Sequence, residues 1–191
     1  MILKTPVILA SGSPRRQELL RELGIPFEII LKQVDETYPE HLEKEQVALY
    51  LAEKKASAYD AEVLTGKLVI TADTIVCADN IILGKPEDFD DGVRMLKLLS
   101  GKRHEVITAV CIRSASGQTT FFDTTSVYFK NLTDEEIRFY MDKCKPYDKA
   151  GAYGIQEWIG LIGIERIDGS YYNVVGLPVR KVYEHLLALQ P

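Results

Sequence analysis

One long run of β-forming residues constrains this chain more than any other feature of its sequence. Residues 67–79, KLVITADTIVCAD, are apolar or β-branched at most positions and predict a long strand. Asp79-Asn80 then predicts a tight turn into the segment IILGKP. Asp73 is the one carboxylate of the run before this turn, and a buried carboxylate is costly unless it is paired or bound to a metal. The run therefore predicts a core strand and a candidate functional group together.

Helical and strand patterns alternate over the rest of the chain. The first half of the chain predicts a short buried strand PVILAS, a helix starting at Ser13-Pro14, a strand FEIIL, and a helix over about 44–62 with Val47, Leu51 and Ala58 facing inward. After the long run come a helix FDDGVRMLKLLSG ending at Gly101, and two long strands, HEVITAVCIRS and TTFFDTTSVYFK, joined by a Ser-Gly turn. The last part predicts a helix capped by Thr133 and Glu136, a Gly-rich loop KAGAYGIQ, a strand within LIGIERIDGSYYNVVGLP, and a helix over about 179–189. This mixture predicts an α/β fold with a mixed, twisted sheet and flanking helices. A length of 191 residues suits one compact domain or two small lobes that share a core.

The charge of the chain excludes one class of partner. The formal net charge is −5 over 191 residues, so no chain-wide positive field is present to hold a nucleic-acid polymer. An anion site in this protein must be a local cluster of basic side chains, which favours a small anionic ligand.

Cysteine and histidine are few and scattered. The three cysteines are odd in number, no CxxC pair occurs and the three histidines are isolated, which argues against a disulfide framework and against a zinc site. No apolar run approaches the length of a membrane span. We therefore expect a cytoplasmic protein with reduced, mostly buried thiols and no membrane partner.

The segment ASGSPRR has the composition of an anion-binding helix start. Ser13 can cap the helix and Pro14 suits its first position, where backbone N–H groups are unsatisfied and the helix dipole is positive. Gly12 permits close approach of a ligand, and the two arginines supply guanidinium groups suited to phosphate oxygens. The alternative is that Arg15 and Arg16 lie solvated on an exposed helical face.

Acidic residues form a second group of candidates. Asp73 is a candidate metal ligand or general base, and the alternative is that it ends a strand and accepts hydrogen bonds from backbone N–H groups. Thr74 beside it is placed to bind a ligand. Asp35 and Glu36, in the acidic segment VDETYPE, either complete an oxygen-ligand site for Mg²⁺ or Mn²⁺ or form a solvated loop.

Three lysines and one glutamine complete the set of candidates. Lys54 and Lys55 lie on a predicted helix, and Lys85 lies in the turn GKP. Gln156 closes the Gly-rich loop, and its amide can offer a donor and an acceptor to the edge of a base. The alternatives are solvated lysines and an ordinary glycine-rich turn.

Four motifs in order resemble one known family. The chain has ASGSPRR, ITADTIV, GKP and KAGAYGIQ, and over essentially its whole length it resembles the Maf family of nucleoside triphosphate pyrophosphatases. The resemblance implies a single domain over residues 1–191, with an α/β fold similar to that of the inosine-triphosphate pyrophosphatases and two lobes around a cleft. It also implies a cytoplasmic location and a homodimer. It also implies hydrolysis of a nucleoside triphosphate to the monophosphate and pyrophosphate. The KAGAYGIQ loop is similar to that of the subgroup that acts on dTTP and UTP.

The same resemblance implies roles for individual residues. Asp73 is similar to the proton acceptor of the family, and Glu36 is similar to a carboxylate that, with Asp73, binds a divalent cation, Mg²⁺ or Mn²⁺. The positions that set substrate specificity correspond to Arg15, Thr74 and Gln156. The phosphate-side groups correspond to Ser11, Arg16, Lys55 and Lys85.

Two other functions stay open at this point. One is a nucleotide-binding regulator of cell division or septum formation with little catalysis, and the other is a house-cleaning enzyme for modified nucleotides. A pure binder would not need Asp73 within an apolar strand, which favours catalysis.

Overall fold

The chain divides into two compact units. The structure, a computed structural model, describes residues 4–189, and the parts of predictions that fall on residues 1–3, 190 and 191 lie outside the described residues. Unit 1 comprises the described residues up to Asp73, Thr108–Asp123 and the described residues from Gly176 onward. Unit 2 comprises Thr74–Ile107 and Thr124–Val175. That residues 1–191 form a single domain stays a prediction.

Within the described residues, seven strands form one sheet. They are β1 (Val7–Leu9), β2 (Phe27–Ile29), β3 (Leu68–Ala78), β4 (Ile81–Leu83), β5 (Arg103–Ser114), β6 (Gly117–Phe129) and β7 (Ile164–Asp168). Their order is β2-β1-β3-β5-β6-β7, and β4 pairs with β3. β1 is parallel to both β2 and β3, whereas the β3–β4 and β6–β7 pairs are antiparallel.

Helices complete the fold. They are α1 (Pro14–Glu22), α2 (Glu45–Ser57), α3 (Ala61–Leu64), α4 (Phe89–Leu99), α5 (Asp134–Cys144), α6 (Trp158–Gly163), α7 (Tyr171–Val175) and α8 (Val179–Ala188). A short 3₁₀ turn, Ala150–Ala152, lies in the Gly-rich loop. The mixed sheet with helices beside it confirms the predicted α/β class.

Local signals placed several boundaries correctly. Asp79 and Asn80 have φ values of 49° and 62° in the β3–β4 turn, the left-handed geometry that these residue types tolerate best. Gly101, with φ 69°, follows α4 as predicted. Thr133 and Glu136 form the predicted capping box at the start of α5.

One predicted helix was wrong in its extent. The pattern over 44–62 predicted a single helix, but α2 ends at Ser57 and α3 is separate. The physical reason is Asp60, whose side chain accepts a hydrogen bond from the Val63 N–H at 3.2 Å and so caps a new helix. Val47 and Leu51 face inward as predicted, whereas Ala58 is only partly buried.

The long strand β3 lies in the core, as predicted. Every residue of β3 is buried except Thr74, which is partly buried. In unit 1, Ile8 of β1 and Val69 of β3 pack in one apolar cluster. In unit 2, a larger cluster includes Val76 of β3 and Leu96 of α4. Asp73 is therefore a charged residue of a buried strand, as the sequence predicted.

The burial of the thiols agrees with expectation. Cys77 and Cys111 are buried, Cys144 is partly buried, and none of the three is in a disulfide within the described part of the chain. Burial raises the pKa of the Cys111 thiol above its usual value. No helix within residues 4–189 has both the length and the apolar character needed to span a membrane.

His104 is a buried titratable group in the core of unit 2. Its side chain is 1% exposed, and its Nε2 lies 2.8 Å from the Tyr153 hydroxyl. The ring of Phe129 packs edge-on against it at 5.0 Å. Burial lowers the pKa of His104 to about 3, so the native state keeps the imidazole neutral.

This depressed pKa makes the stability of the fold depend on pH. The unfolded imidazole has a pKa of 6.5, so below that pH the unfolded state binds a proton that the folded state excludes. The stability contributed by His104 is thus complete above pH 6.5 and is lost as the pH falls toward 3. Between about pH 6.5 and about pH 4.5 we expect the free energy of unfolding to fall by about 2 kcal/mol more in the natural protein than in His104→Gln. Urea denaturation at each pH measures the difference, and equal pH slopes contradict the prediction.

Candidate functional site

The segment before α1 folds back on itself. Ser11 is buried, and its hydroxyl accepts hydrogen bonds from the Ser13 N–H and from Arg16 Nη1, each at 3.3 Å. Gln17 Nε2 donates to the Ser11 carbonyl at 3.2 Å. Ser13 is the N-cap residue and Pro14 begins α1 as predicted, although the Ser13 side chain makes no capping hydrogen bond. The result is an ordered turn that places Arg15 and Arg16 in the first turn of the helix.

Arg16 is a structural as well as an electrostatic residue. Its guanidinium donates to the Gly176 carbonyl at 2.8 Å and to the Ala72 carbonyl at 2.9 Å, in addition to Ser11. Burial lowers the pKa of Arg16, and the nearby Asp73 carboxylate acts in the opposite direction. The alternative that Arg16 is solvated on an exposed helical face is therefore wrong, because Arg16 is partly buried and donates hydrogen bonds to three acceptors.

Asp73 is paired with a lysine. Lys55 Nζ lies 2.6 Å from Asp73 Oδ1 and 2.9 Å from Glu36 Oε1, so one ammonium bridges both carboxylates. Asp73 is 8% exposed, whereas Glu36 is exposed. The alternative that Asp73 ends a strand does not hold, because it lies in the middle of β3. Lys55, rather than Lys54, is the lysine that reaches Asp73.

Asp35, the acidic residue next to Glu36, contacts Thr37 and Lys54 instead of Lys55. Asp35 accepts hydrogen bonds from the hydroxyl and the N–H of Thr37, and its pKa is lowered chiefly by the Thr37 side chain. Lys54 Nζ lies 3.5 Å from Asp35 Oδ2 and 2.8 Å from the Thr37 carbonyl. These contacts order the acidic loop beside Glu36.

The donor atoms at this place suit a hard cation. Asp73 and Glu36 each present a carboxylate oxygen to the same positive charge, and Mg²⁺ is commonly held by one or two carboxylates together with substrate phosphates. Among residues 4–189, no group of three or more His, Cys, Asp or Glu side chains is arranged to hold a metal by itself. The residues fit a cation that a phosphate ligand helps to bind, and they do not fit an all-protein metal cage.

Six of the predicted site residues therefore come together in unit 1. The charges of Asp73, Arg15 and Glu36 all act on the Arg16 guanidinium, which places them around one centre. The cluster consists of Ser11, Arg15, Arg16, Glu36, Lys55 and Asp73. Within it, three cations and two carboxylates lie close to one another and Arg16 contacts the buried Ser11 hydroxyl, an arrangement able to bind an anion and a metal together.

The other three predicted residues lie in unit 2. Thr74 is partly buried on β3, and Lys85 is exposed directly after β4. The Gly151 N–H donates to the Gly84 carbonyl at 2.9 Å, which joins the Gly-rich loop to the turn that carries Lys85. Gly151 has φ 69°, and a Cβ there would lie 2.9 Å from the Val76 side chain, so this close approach requires glycine.

Gln156 is exposed at the end of the Gly-rich loop. It lines a pocket of about 420 Å³ in unit 2, a size typical of small-molecule sites. Leu161, Arg166 and Tyr171 are among the other lining residues. The glutamine amide thus stands beside apolar, aromatic and charged groups.

The sequence did not predict the side-chain contacts that hold this loop. Lys149 is buried, and its Nζ lies 2.7 Å from Asp148 Oδ1 and 3.0 Å from Glu157 Oε1. The Tyr140 hydroxyl donates to Glu157 Oε2 and accepts from the Gly154 N–H. Lys149 opens the Gly-rich loop and Glu157 directly follows it in the sequence, but no sequence pattern pairs Glu157 with Tyr140.

These features define an α/β protein with a buried carboxylate inside a cation-rich cluster. The sequence model of the Maf-like protein family matches residues 6–189, and the chain belongs to that family. The resemblance in the motifs is thereby confirmed.

Two similar proteins carry an enzyme name. The dTTP/UTP pyrophosphatase of Flavobacterium psychrophilum is 52% identical over 183 residues, covering 96% of this chain and 94% of the relative. The dTTP/UTP pyrophosphatase of Phocaeicola vulgatus is 51% identical over 187 residues, covering 97% of each chain. Among solved structures, the Ham1 protein of Staphylococcus aureus aligns over 94% of this chain and 99% of its own, with 16% identity and a TM-score of 0.48.

The Lys55 bridge yields a prediction about stability. Lys55→Met removes the ammonium that contacts the buried Asp73 carboxylate, and we expect the free energy of unfolding at about pH 7 to fall by about 3 kcal/mol. Lys54→Met is the matched control: its ammonium pairs with the exposed Asp35, so the loss should stay below about 1 kcal/mol. Urea denaturation measures both. Adding Asp73→Asn to Lys55→Met should restore most of the loss, and equal costs for the two lysines would contradict the prediction.

Proposed function

We propose that this protein hydrolyses nucleoside triphosphates, dTTP and UTP foremost, to the nucleoside monophosphate and pyrophosphate. The observation that carries the proposal is the buried Asp73, held by Lys55 beside Arg16 in a family whose similar members are named dTTP/UTP pyrophosphatase. Cleavage of a triphosphate depends mainly on positioning and on neutralising charge, which a cluster of fixed cations supplies.

Asp73 is the proton acceptor in this proposal. It takes a proton from a water molecule whose oxygen forms a bond to the α-phosphorus, while the bond from that phosphorus to the bridging oxygen breaks and pyrophosphate leaves. Hydrogen bonds and charges to the phosphate oxygens come from Ser11, Arg15, Arg16, Lys55 and Lys85. Because Arg16 is fixed by three protein acceptors, its charge is in place before a ligand arrives.

A divalent cation, Mg²⁺ or Mn²⁺, completes the proposed site. Asp73 and Glu36 would hold it, and when bound it would neutralise charge on the triphosphate. The carboxylate oxygens of Asp73 and Glu36 that contact Lys55 would be the protein ligands of this cation.

Substrate choice is assigned to Gln156, with Thr74 and Arg15. A glutamine amide presents a donor and an acceptor together, which suits the edge that thymine and uracil share. Cytosine has an amino donor where those bases have the O4 acceptor, so a glutamine amide whose orientation is fixed distinguishes them. The homodimer and the cytoplasmic location remain predictions.

The test is pyrophosphate release from a panel of canonical, methylated and deaminated triphosphates with Mg²⁺ or Mn²⁺. We expect dTTP and UTP to be hydrolysed best, and EDTA to abolish the release. A preference for modified nucleotides would support the house-cleaning function instead. Negligible turnover on every nucleotide would overturn the proposal in favour of a nucleotide-binding regulator.

The role of Asp73 is tested by Asp73→Asn. We expect nucleotide binding to persist and turnover to fall by at least about a hundredfold, the usual worth of an acid–base group. Equilibrium binding and pyrophosphate release measure the two effects separately. Glu53→Gln, which changes an exposed carboxylate of α2, is the control and should keep normal turnover. Near-normal turnover of Asp73→Asn would instead remove Asp73 from the mechanism.

A further inference from the structure

We propose that Tyr140, Lys149 and Glu157 form a clamp that positions Gln156, and that this clamp sets the base selectivity of the protein. The inference rests on the proposed function, because it assigns a role to residues that support its specificity group. The three clamp residues do not contact substrate in this proposal and act through the turn that carries Gln156.

The turn itself is tight and closed. Gln156 is the third residue of the four from Gly154 to Glu157, and the Glu157 N–H donates to the Gly154 carbonyl at 3.0 Å. Gly154 is buried, and a Cβ at this position would lie 2.9 Å from Glu157 Cδ and 3.1 Å from Lys149 Cε. The backbone before Gln156 is therefore packed directly against two of the clamp residues.

One hydroxyl group joins both ends of the turn. Tyr140 lies on α5 and is fully buried, and its hydroxyl accepts from the Gly154 N–H at 3.0 Å. The same hydroxyl donates to Glu157 Oε2. The first and last residues of the turn thus share one hydrogen-bonding group, which fixes their separation independently of the turn's own bond.

Lys149 completes the clamp by matching the charge of Glu157. Its Nζ lies 3.0 Å from Glu157 Oε1, and the lysine side chain is 10% exposed. Each Glu157 oxygen therefore has a partner, Tyr140 for one and Lys149 for the other. A carboxylate held at both oxygens in a partly buried place has little freedom to change rotamer.

The chain after Gln156 is fixed as well. The Glu157 carbonyl accepts from the Gly160 N–H at 2.9 Å as α6 begins. A Cβ on Gly160 would lie 1.8 Å from the Ile155 carbonyl oxygen, so the helix can approach the turn this closely only with glycine there. Between buried Ile155 and partly buried Glu157, the Gln156 side chain alone projects outward.

In this proposal the clamp acts mainly on base selectivity and less on the stability of the core. A group that reads a base by hydrogen bonds must be held in position by neighbours with locked rotamers. Here hydrogen bonds and an ion pair hold Gly154 and Glu157, which lie on either side of the exposed Gln156. Loss of the clamp should therefore weaken base discrimination before it weakens the chemical step.

The experiment compares Tyr140 of α5 with Tyr153, which lies within the Gly-rich loop itself. Tyr140→Phe removes the hydroxyl that joins the turn, and Tyr153→Phe removes a buried hydroxyl that contacts His104 instead. We expect Tyr140→Phe to raise the KM for dTTP roughly tenfold and to lower the preference for dTTP over dCTP by a similar factor, with kcat changed less than about threefold. Tyr153→Phe should leave the KM for dTTP and the preference for dTTP over dCTP unchanged. The two variants are compared at a temperature at which both are fully folded.

A double-mutant cycle separates positioning from general loosening. If the clamp acts through Gln156, Tyr140→Phe adds no further loss of preference in a Gln156→Ala background. Glu157→Gln keeps an acceptor oxygen for Tyr140 and should retain more of the preference than Glu157→Leu. Full additivity in the cycle, or a folded Tyr140→Phe with unchanged KM and preference, overturns the inference.

Binding measurements distinguish failure of the inference from failure of the proposed function. The dissociation constants for dTTP and dCTP are measured by calorimetry in an Asp73→Asn background, where no turnover is needed. If the natural protein releases no pyrophosphate but Tyr140→Phe still removes a binding preference for dTTP, the proposed function fails and the clamp stands. If the parent binds the two nucleotides equally, the clamp proposal is overturned.

Discussion

The pairing of Asp73 with Lys55 is the interaction on which the candidate site depends. A carboxylate in the middle of a buried strand is unfavourable unless its charge is matched, and Lys55 matches it at 2.6 Å. Because the same ammonium also contacts Glu36, it draws the exposed acidic loop toward the strand. The loop, the helix α2 and the strand β3 are thereby joined through one charged atom.

Arg16 shows how a single side chain can serve the fold and the site together. It holds the carbonyls of Ala72 and Gly176 while its positive charge stays close to Asp73. Buried carbonyl groups need donors, and a guanidinium can satisfy several at once from a fixed position. A cation held in this way keeps its place without a ligand, which is what electrostatic preorganisation requires.

The sequence predicted what local chemistry determines and missed what distant contacts determine. β3, the Asp79-Asn80 turn and the Thr133–Glu136 capping box follow from residues next to one another, and all three are confirmed. The break after Ser57 was missed although Asp60 carried a local capping signal for it. The contacts of Arg16 with residues 56 and 160 positions away, and of Tyr140 with Glu157, depend on tertiary packing that no sequence period reveals. Motif chemistry thus identified candidate residues, whereas the partners of those residues are set by tertiary packing.

The placement of the thiols has a practical consequence. Cys77 lies in unit 2 and Cys111 lies in unit 1, and each is nearly inaccessible in the folded chain. A thiol reagent can modify either one only after the surrounding strands open, so each labelling rate reports the opening of its own unit. The protein therefore carries an intrinsic pair of probes with which mass spectrometry can follow local unfolding of the two units separately.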